Sequence, residues 1–271
     1  MAESQNQPAY HPDFFSQKVR KKLKNHSWTR EVSEYLLSTM KKFIPLIAIT
    51  IGMFVSSAMA GDGFKSIFNG KDLTDWKSNE ETPGCFTVED GAIKVSGGRA
   101  HLFYMGPDGK ASFKDFELKL KMKTLPNANS GIYFHTQYED KGWPTKGFEC
   151  QVNASHKDPR KTGSLYGVSD VLVLAPGQEA PKGSLTNQVL SKAPNTDGEW
   201  CDYLITVKGN TITIKVNGET TVEWTEPKDF DPAKALLNMP GRKLGSGTFA
   251  LQGHDPNSTA FFKDIQVKML E

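Results

Sequence analysis

The sequence contains no G-x-G-x-x-G run and no G-x-x-x-x-G-K-[ST] loop, so neither a dinucleotide nor a nucleoside triphosphate finds its usual phosphate cradle. It has no G-x-S-x-G elbow, which argues against an α/β-hydrolase, and no H-E-x-x-H zinc pair. Cysteine is scarce: Cys85, Cys150 and Cys201 match no zinc spacing and allow one disulfide with a free thiol, or none. Small buried strand residues are the simpler reading of all three. Excess positive charge is also missing from the main part of the chain. After Ala60 there are 25 basic and 27 acidic residues, so the basic character of the whole chain belongs to its first 60 residues. That balance excludes the electrostatic footprint of a nucleic-acid partner.

A long apolar run occurs once. From Met40 the chain reads MKKFIPLIAITIGMFVSSAMA, with Lys41 and Lys42, an uncharged stretch, and the small-x-small site Ala58-Met59-Ala60. That order is a secretory signal peptide, with a retained membrane anchor as the rival. Residues 1–39 are polar and hold a cluster of Lys and Arg; they read as a start placed too early or as a short cytoplasmic tail. The expected organisation is therefore 1–39 as an extension, 40–60 as signal peptide or anchor, and 61–271 as one folded domain. The domain is expected in the periplasm or outside the cell, and at a membrane only if residues 43–60 are retained.

Helical periodicity is missing after residue 60, apart from a short candidate at Asp231–Leu237. Period-two alternation takes its place. In Asp115–Lys123, Phe116, Leu118, Leu120 and Met122 alternate with Glu117, Lys119, Lys121 and Lys123, which marks a half-buried strand. Thr211–Val216 reads the same way. Further strands are expected at Cys85–Val88, Ala92–Val95, Gly131–Gln137, Phe148–Asn153, Tyr203–Val207, Phe249–Gln252 and Ala260–Lys268. Asp90-Gly91 and Asn217-Gly218 are two-residue hairpin turns. Many short strands between turns predict an all-β sandwich or barrel. Two longer polar stretches, Asn153–Gly163 and Ala175–Asn195, read as loops of the kind that carry function.

Ordinary glycoside hydrolysis needs two carboxylates flanking the scissile bond. Glu149 is the only acid on its strand, and Gln151 and Asn153 take the next positions on its face. The local two-acid pattern therefore fails, although a neighbouring strand remains a source for the second acid.

Several segments taken together resemble one family. Gly63-Phe64-Lys65-Ser66-Ile67-Phe68-Asn69-Gly70-Lys71-Asp72-Leu73 with Trp76 is similar to its opening G-F-x-x-L-F-N-G-K-D-L-x-x-W. Phe116-Glu117-Leu118, Asn129-Ser130-Gly131-Ile132, Gly147-Phe148-Glu149-Cys150-Gln151-Val152 and Thr162-Gly163-Ser164-Leu165-Tyr166-Gly167 match later pieces. Gly198-Glu199-Trp200, Val216-Asn217-Gly218, Leu251-Gln252-Gly253-His254 and Phe262-Lys263-Asp264-Ile265 follow in family order. The chain thus resembles the 3-keto-disaccharide hydrolase family. The resemblance implies a two-sheet antiparallel jelly-roll sandwich of concanavalin A-like type, and activity on glycosides already oxidised at C3. The pattern departs at His135, where many relatives carry Arg.

A ketone at C3 acidifies the C2 proton, so one base and donors for the C3 oxygen suffice to expel the group at C1. Within that expectation Glu149 and His254 are the candidate catalytic residues, Glu149 first as the base and His254 second, as base, proton donor to the leaving oxygen or metal ligand. His135 and Gln137 share a strand face with Tyr133 by period two and are candidates for a sugar site. Trp143 and Tyr166 offer aromatic faces, Lys146 a cation for the ketone, Gln151 the position beside Glu149, and Asp255 a partner for His254. No cofactor is expected. Asp255 with Asn257, or Asp158, carries oxygen atoms of the kind calcium takes, in no diagnostic spacing, so no metal ligand is assigned. A non-catalytic carbohydrate-binding module and a two-carboxylate glucanase stand as alternatives.

Overall fold

The computed structural model describes residues 62–79 and 81–271; the expectations for 1–39 and 40–60 lie outside the described residues. Fifteen strands and one helical turn follow in order: β1 Lys65–Ser66, β2 Trp76–Ser78, β3 Phe86–Glu89, β4 Ala92–Ser96, β5 Ala100–Tyr104, β6 Phe116–Thr124, β7 Ser130–Thr136, β8 Phe148–Val152, β9 Ser169–Leu172, β10 Thr186–Val189, β11 Cys201–Lys208, β12 Thr211–Val216, β13 Glu219–Thr225, α1 Pro232–Ala235, β14 Thr248–Gly253 and β15 Thr259–Met269. Among the described residues no helix is long and apolar enough to cross a membrane.

One sheet runs β13-β12-β11-β6-β15-β4-β3, with β1 also paired to β15; the other runs β2-β5-β14-β7-β8. All these pairs are antiparallel, while β9 and β10 form a separate parallel pair. The inward residues of both sheets merge into one apolar cluster. Phe116, Leu118 and Met122 of β6, with Phe262 of β15, meet Ile132 and Phe134 of β7, Phe148 of β8 and Phe249 of β14. Two sheets sharing one core in this way make an antiparallel jelly-roll sandwich. Each fully buried Phe or Leu stabilises it by roughly 1.5–3 kcal/mol.

The two sheets differ on their outer faces. β6 alternates strictly between buried and half-buried residues, so its lysines meet water. Strands β5, β7, β8 and β14 are buried at every position. Loops cover the outer face of the smaller sheet, and polar side chains are enclosed beneath them.

The hairpin turns at Asp90 and Asn217 carry φ of 48° and 51°, the left-handed values such turns require. Asp231 caps α1 by accepting from the Ala233 N–H, and the element is shorter than Asp231–Leu237. The stretch Ala175–Asn195 contains β10 and is not wholly loop. All three cysteines are buried free thiols, which removes the disulfide alternative. Burial pushes the Cys85 and Cys201 thiols up to about 11.

Candidate functional site

The register of the smaller sheet aligns two rows of side chains on its covered face. Tyr133 stands opposite Glu149, and Gly131 opposite Gln151. Ala250 pairs with Tyr133 on one side and Phe103 on the other, and Gln252 pairs with His101. Alternation places all of these on one face, because their neighbours Ile132, Phe148, Cys150 and Leu251 belong to the core. Above them lies a cleft of about 230 Å³, walled by Trp143, Tyr166, Asn238, Met239, Arg242 and His254.

Glu149 is the charged centre of the floor. Its Oε2 accepts from the Tyr133 hydroxyl at 2.8 Å and from Arg242 Nη2 at 3.2 Å. Its Oε1 accepts from Gln252 Nε2 at 2.8 Å. Arg242 also donates to the Gly147 carbonyl, and its guanidinium lies 5.4 Å from the Tyr133 ring centre. The ion pair is buried, with 8% and 7% of the two side chains exposed. A charge so enclosed needs both a counter-ion and filled lone pairs, and this arrangement supplies them. Burial and the Glu149 charge together raise the Tyr133 phenol well above its ordinary range, so it stays a donor. Room for the carboxylate comes from Gly131: a Cβ there would lie 2.6 Å from Glu149 Oε1. Arg242 is delivered by the turn at Gly241, whose missing side chain lets it pass against the Thr145 carbonyl.

His254 enters from the end of β14. Its Nδ1 lies 2.9 Å from Asp255 Oδ2, which also accepts from the Ser258 hydroxyl, while Oδ1 accepts from the Asn257 N–H. Burial would raise the Asp255 carboxyl, but these hydrogen bonds outweigh it and hold the group below the ordinary carboxylate range. An ionised carboxylate only accepts, so Nδ1 carries the proton and Nε2 offers a lone pair. The imidazole packs against Trp143 at 5.3 Å between ring centres. Trp143 also meets His101 and the Arg99 guanidinium, at 5.7 and 5.5 Å. Tyr166 is backed by Arg160, 4.7 Å from its ring centre, and Arg160 is fixed by Asp170 at 2.8 Å.

The structure thus brings Glu149, Gln151, Trp143, Tyr166 and His254 to one cleft, with Asp255 directly behind His254. It does not bring His135, Gln137 or Lys146 there. The expectation that His135 shares the Tyr133 face is corrected by a β-bulge: two residues of β7 stand against one of β14 between Thr136 and Tyr133. His135 takes φ of 54° and turns toward Phe116, where its ring nitrogens meet the Lys114 carbonyl and the Gly245 N–H. Gln137 and Lys146 line a different hollow, and Lys146 donates to the Ser246 carbonyl. Asn153 also leaves the Glu149 face; its amide bonds the carbonyls of Asp158 and Arg160.

Among the described residues no group of three His, Cys, Asp or Glu is placed to hold a metal ion. The Asp158 Oδ1 accepts from the Arg160 N–H, and both Asp255 oxygens are engaged as above.

Asn129, Asn238, Met239, Arg242 and Gln252 are the cleft residues that the sequence reading did not assign. A signal for Arg242 was present: after Ala60 the chain has 22 Lys but only Arg99, Arg160 and Arg242; Arg242 lines this cleft, while Arg99 and Arg160 lie against its walls Trp143 and Tyr166. A planar, permanently charged fork suits a buried carboxylate or an aromatic face better than an ammonium does.

Known proteins agree with this architecture. A 3-keto-disaccharide hydrolase of Bacteroides thetaiotaomicron is 26% identical over 250 residues, covering 78% of this chain and 79% of that protein. Two crystal structures of candidate glycosyl hydrolases from Parabacteroides distasonis share the fold. One has a TM-score of 0.56 at 23% identity, over 78% of this chain and 96% of the other. The second has a TM-score of 0.54 at 22% identity, over 76% and 99%. Residues 63–268 match the 3-keto-alpha-glucoside-1,2-lyase-like domain, and the chain belongs to that carbohydrate-active family.

Proposed function

We propose that the protein is an exported enzyme that cleaves 3-keto-glycosides, including 3-keto-disaccharides, by removing the C2 proton and eliminating the group at C1. The observation that carries this reading is the single carboxylate of the cleft. Glu149 is the only acid among its lining residues, whereas hydrolysis by paired carboxylates needs two across the bond. Glu149 also has both oxygens occupied by internal donors, which suits a group that positions others.

His254 is the base in this scheme. Its Nε2 takes the C2 proton, and the electrons of the C2–H bond delocalise onto the C3 oxygen as an enolate. Asp255 stabilises the resulting imidazolium and keeps the ring in the tautomer that accepts. Arg242 uses two of its five N–H donors on Gly147 and Glu149, leaving donors for the enolate oxygen. The enolate then collapses to a C1=C2 double bond, and the C1–O bond breaks with its electron pair going to the departing oxygen, which takes up the proton held by the His254 imidazolium. Addition of water across that bond, hydroxyl to C1 and proton to C2, gives net hydrolysis. Trp143 and Tyr166 present aromatic walls to the C–H faces of the sugar.

The test is turnover of a glucoside and of the same glucoside oxidised at C3, with Glu149→Gln and His254→Ala variants. The proposal expects cleavage of the oxidised sugar alone. It also expects exchange of the C2 proton with deuterated solvent to be lost in His254→Ala and restored by added imidazole. Exchange that survives in His254→Ala but vanishes in Glu149→Gln would transfer the base to Glu149. Cleavage of the plain glucoside would point to a second acid, and binding without turnover to a carbohydrate-binding module.

A further inference from the structure

His156 lies in the loop between β8 and β9, outside the motifs and outside the roles given above. Its ring stands edge-on to His254, 5.8 Å between centres, and beside Asn129 of the cleft lining. The hydrogen bonds around it determine its tautomer. The Asp158 backbone N–H points at His156 Nδ1 from 3.1 Å. A backbone amide can only donate, so Nδ1 is the acceptor and the proton of the neutral ring is on Nε2. Asn129 Nδ2, 3.3 Å from the same nitrogen, then donates as well, which leaves Asn129 Oδ1 to accept from Gln151 Nε2 at 3.1 Å. His254 is set the opposite way by Asp255. The two neighbouring imidazoles therefore present one donor and one acceptor.

The loop that carries His156 is braced from within. Lys161, 6% exposed, donates to the carbonyls of His156 and Asp158 at 2.7 and 2.8 Å. Asn153 accepts from the His156 N–H at 2.9 Å. Burying an ammonium to tie down two carbonyls holds the imidazole in a defined place.

We infer that His156 is a second functional imidazole of the cleft, donating a hydrogen bond from Nε2–H to the glycosidic oxygen as it leaves C1, while His254 takes the proton from C2. C1 and C2 are bonded atoms, so their two partners must stand side by side, as these rings do. This inference rests on the elimination reading above. Burial, followed by the His254 charge, lowers the His156 pKa, which favours the neutral donor form of the ring.

Two substitutions separate this role from loop bracing. His156→Gln retains an N–H donor near the Nε2 position, whereas His156→Asn retains an acceptor near Nδ1 and loses the donor. The expected result is a kcat on the C3-oxidised glycoside within about threefold of the parent for His156→Gln. For His156→Asn it is a loss of about 10²-fold, with KM little changed. The reverse ranking, equal losses, or no loss in either variant would overturn the assignment. Long-range ¹H–¹⁵N spectra of the labelled protein give an independent check. They should show Nε2–H for His156 and Nδ1–H for His254; an Nδ1–H on His156 would refute the donor role whether or not the protein turns over keto-sugars. Failure of the parent on oxidised glycosides with the expected tautomers would instead count against the elimination reading.

Discussion

His101→Phe should make the protein markedly less sensitive to acid. His101 lies on β5 with no exposed surface, its two ring nitrogens lack hydrogen-bond partners, and it packs edge-on to Tyr133 at 5.4 Å. Burial is the dominant influence and lowers its pKa to about 3, although the nearby Glu81 charge opposes this. The native imidazole is therefore neutral where the unfolded one, near its ordinary value of about 6.5, takes up a proton. Because the folded value is depressed, the contribution to stability is complete above about pH 6.5 and is lost as pH falls toward 3. At about pH 5 the loss amounts to about 2 kcal/mol, one and a half units at ~1.36 kcal/mol each. Urea unfolding of parent and variant at pH 7 and pH 5 measures it. Depressed carboxylates such as Asp255 lose stability in the same direction, but they are common to both proteins and cancel in the difference. A difference between parent and variant that stays constant, within about 0.5 kcal/mol, from pH 7 to pH 5 would refute the reasoning.

Two further substitutions probe the floor of the cleft. Gly131→Ala puts a methyl group 2.6 Å from Glu149 Oε1 and 3.0 Å from its Cγ, so the carboxylate must leave Gln252. Steady-state turnover on the oxidised glycoside should fall by at least about tenfold while the far-ultraviolet circular dichroism stays that of the parent. Arg242→Met strands the Glu149 charge in a nearly closed site. Urea titration should show a loss of about 3–5 kcal/mol, and a loss below about 1 kcal/mol would mean that water already reaches Glu149.

How much could be read in advance depended on whether a strand has one wet face. In β6 and β12 the outer residues are Lys, Glu and Thr, and alternation disclosed both strands. In β5, Ala100–Tyr104, every residue is buried on one face or the other, so no polar rhythm betrays it. β13 follows the Asn217-Gly218 turn but opens with three polar residues, Glu219 to Thr221, and has Glu223 after Val222, which masks the pattern. At His135 the alternation was readable and the conclusion was wrong, because a bulge shifts phase by one residue and sends the side chain to the opposite face. Glu149 stood out as a solitary strand acid flanked by core residues, whereas its partner Arg242 comes from a loop 93 positions later.

Local sequence was enough for the class of fold and the hairpin turns at Asp90 and Asn217, because alternation and turn chemistry act over a few residues, while the family resemblance singled out Glu149 and His254. The chemistry of the cleft was decided at longer range. β14 lies between β5 and β7, and that order alone joins Gln252 to Tyr133 and Glu149. The opposite tautomers of His156 and His254 likewise follow from a backbone amide in one loop and a carboxylate in another. Hydrogen bonding acts over about 3 Å in space whatever the separation along the chain, so only the packed sandwich could set those partners.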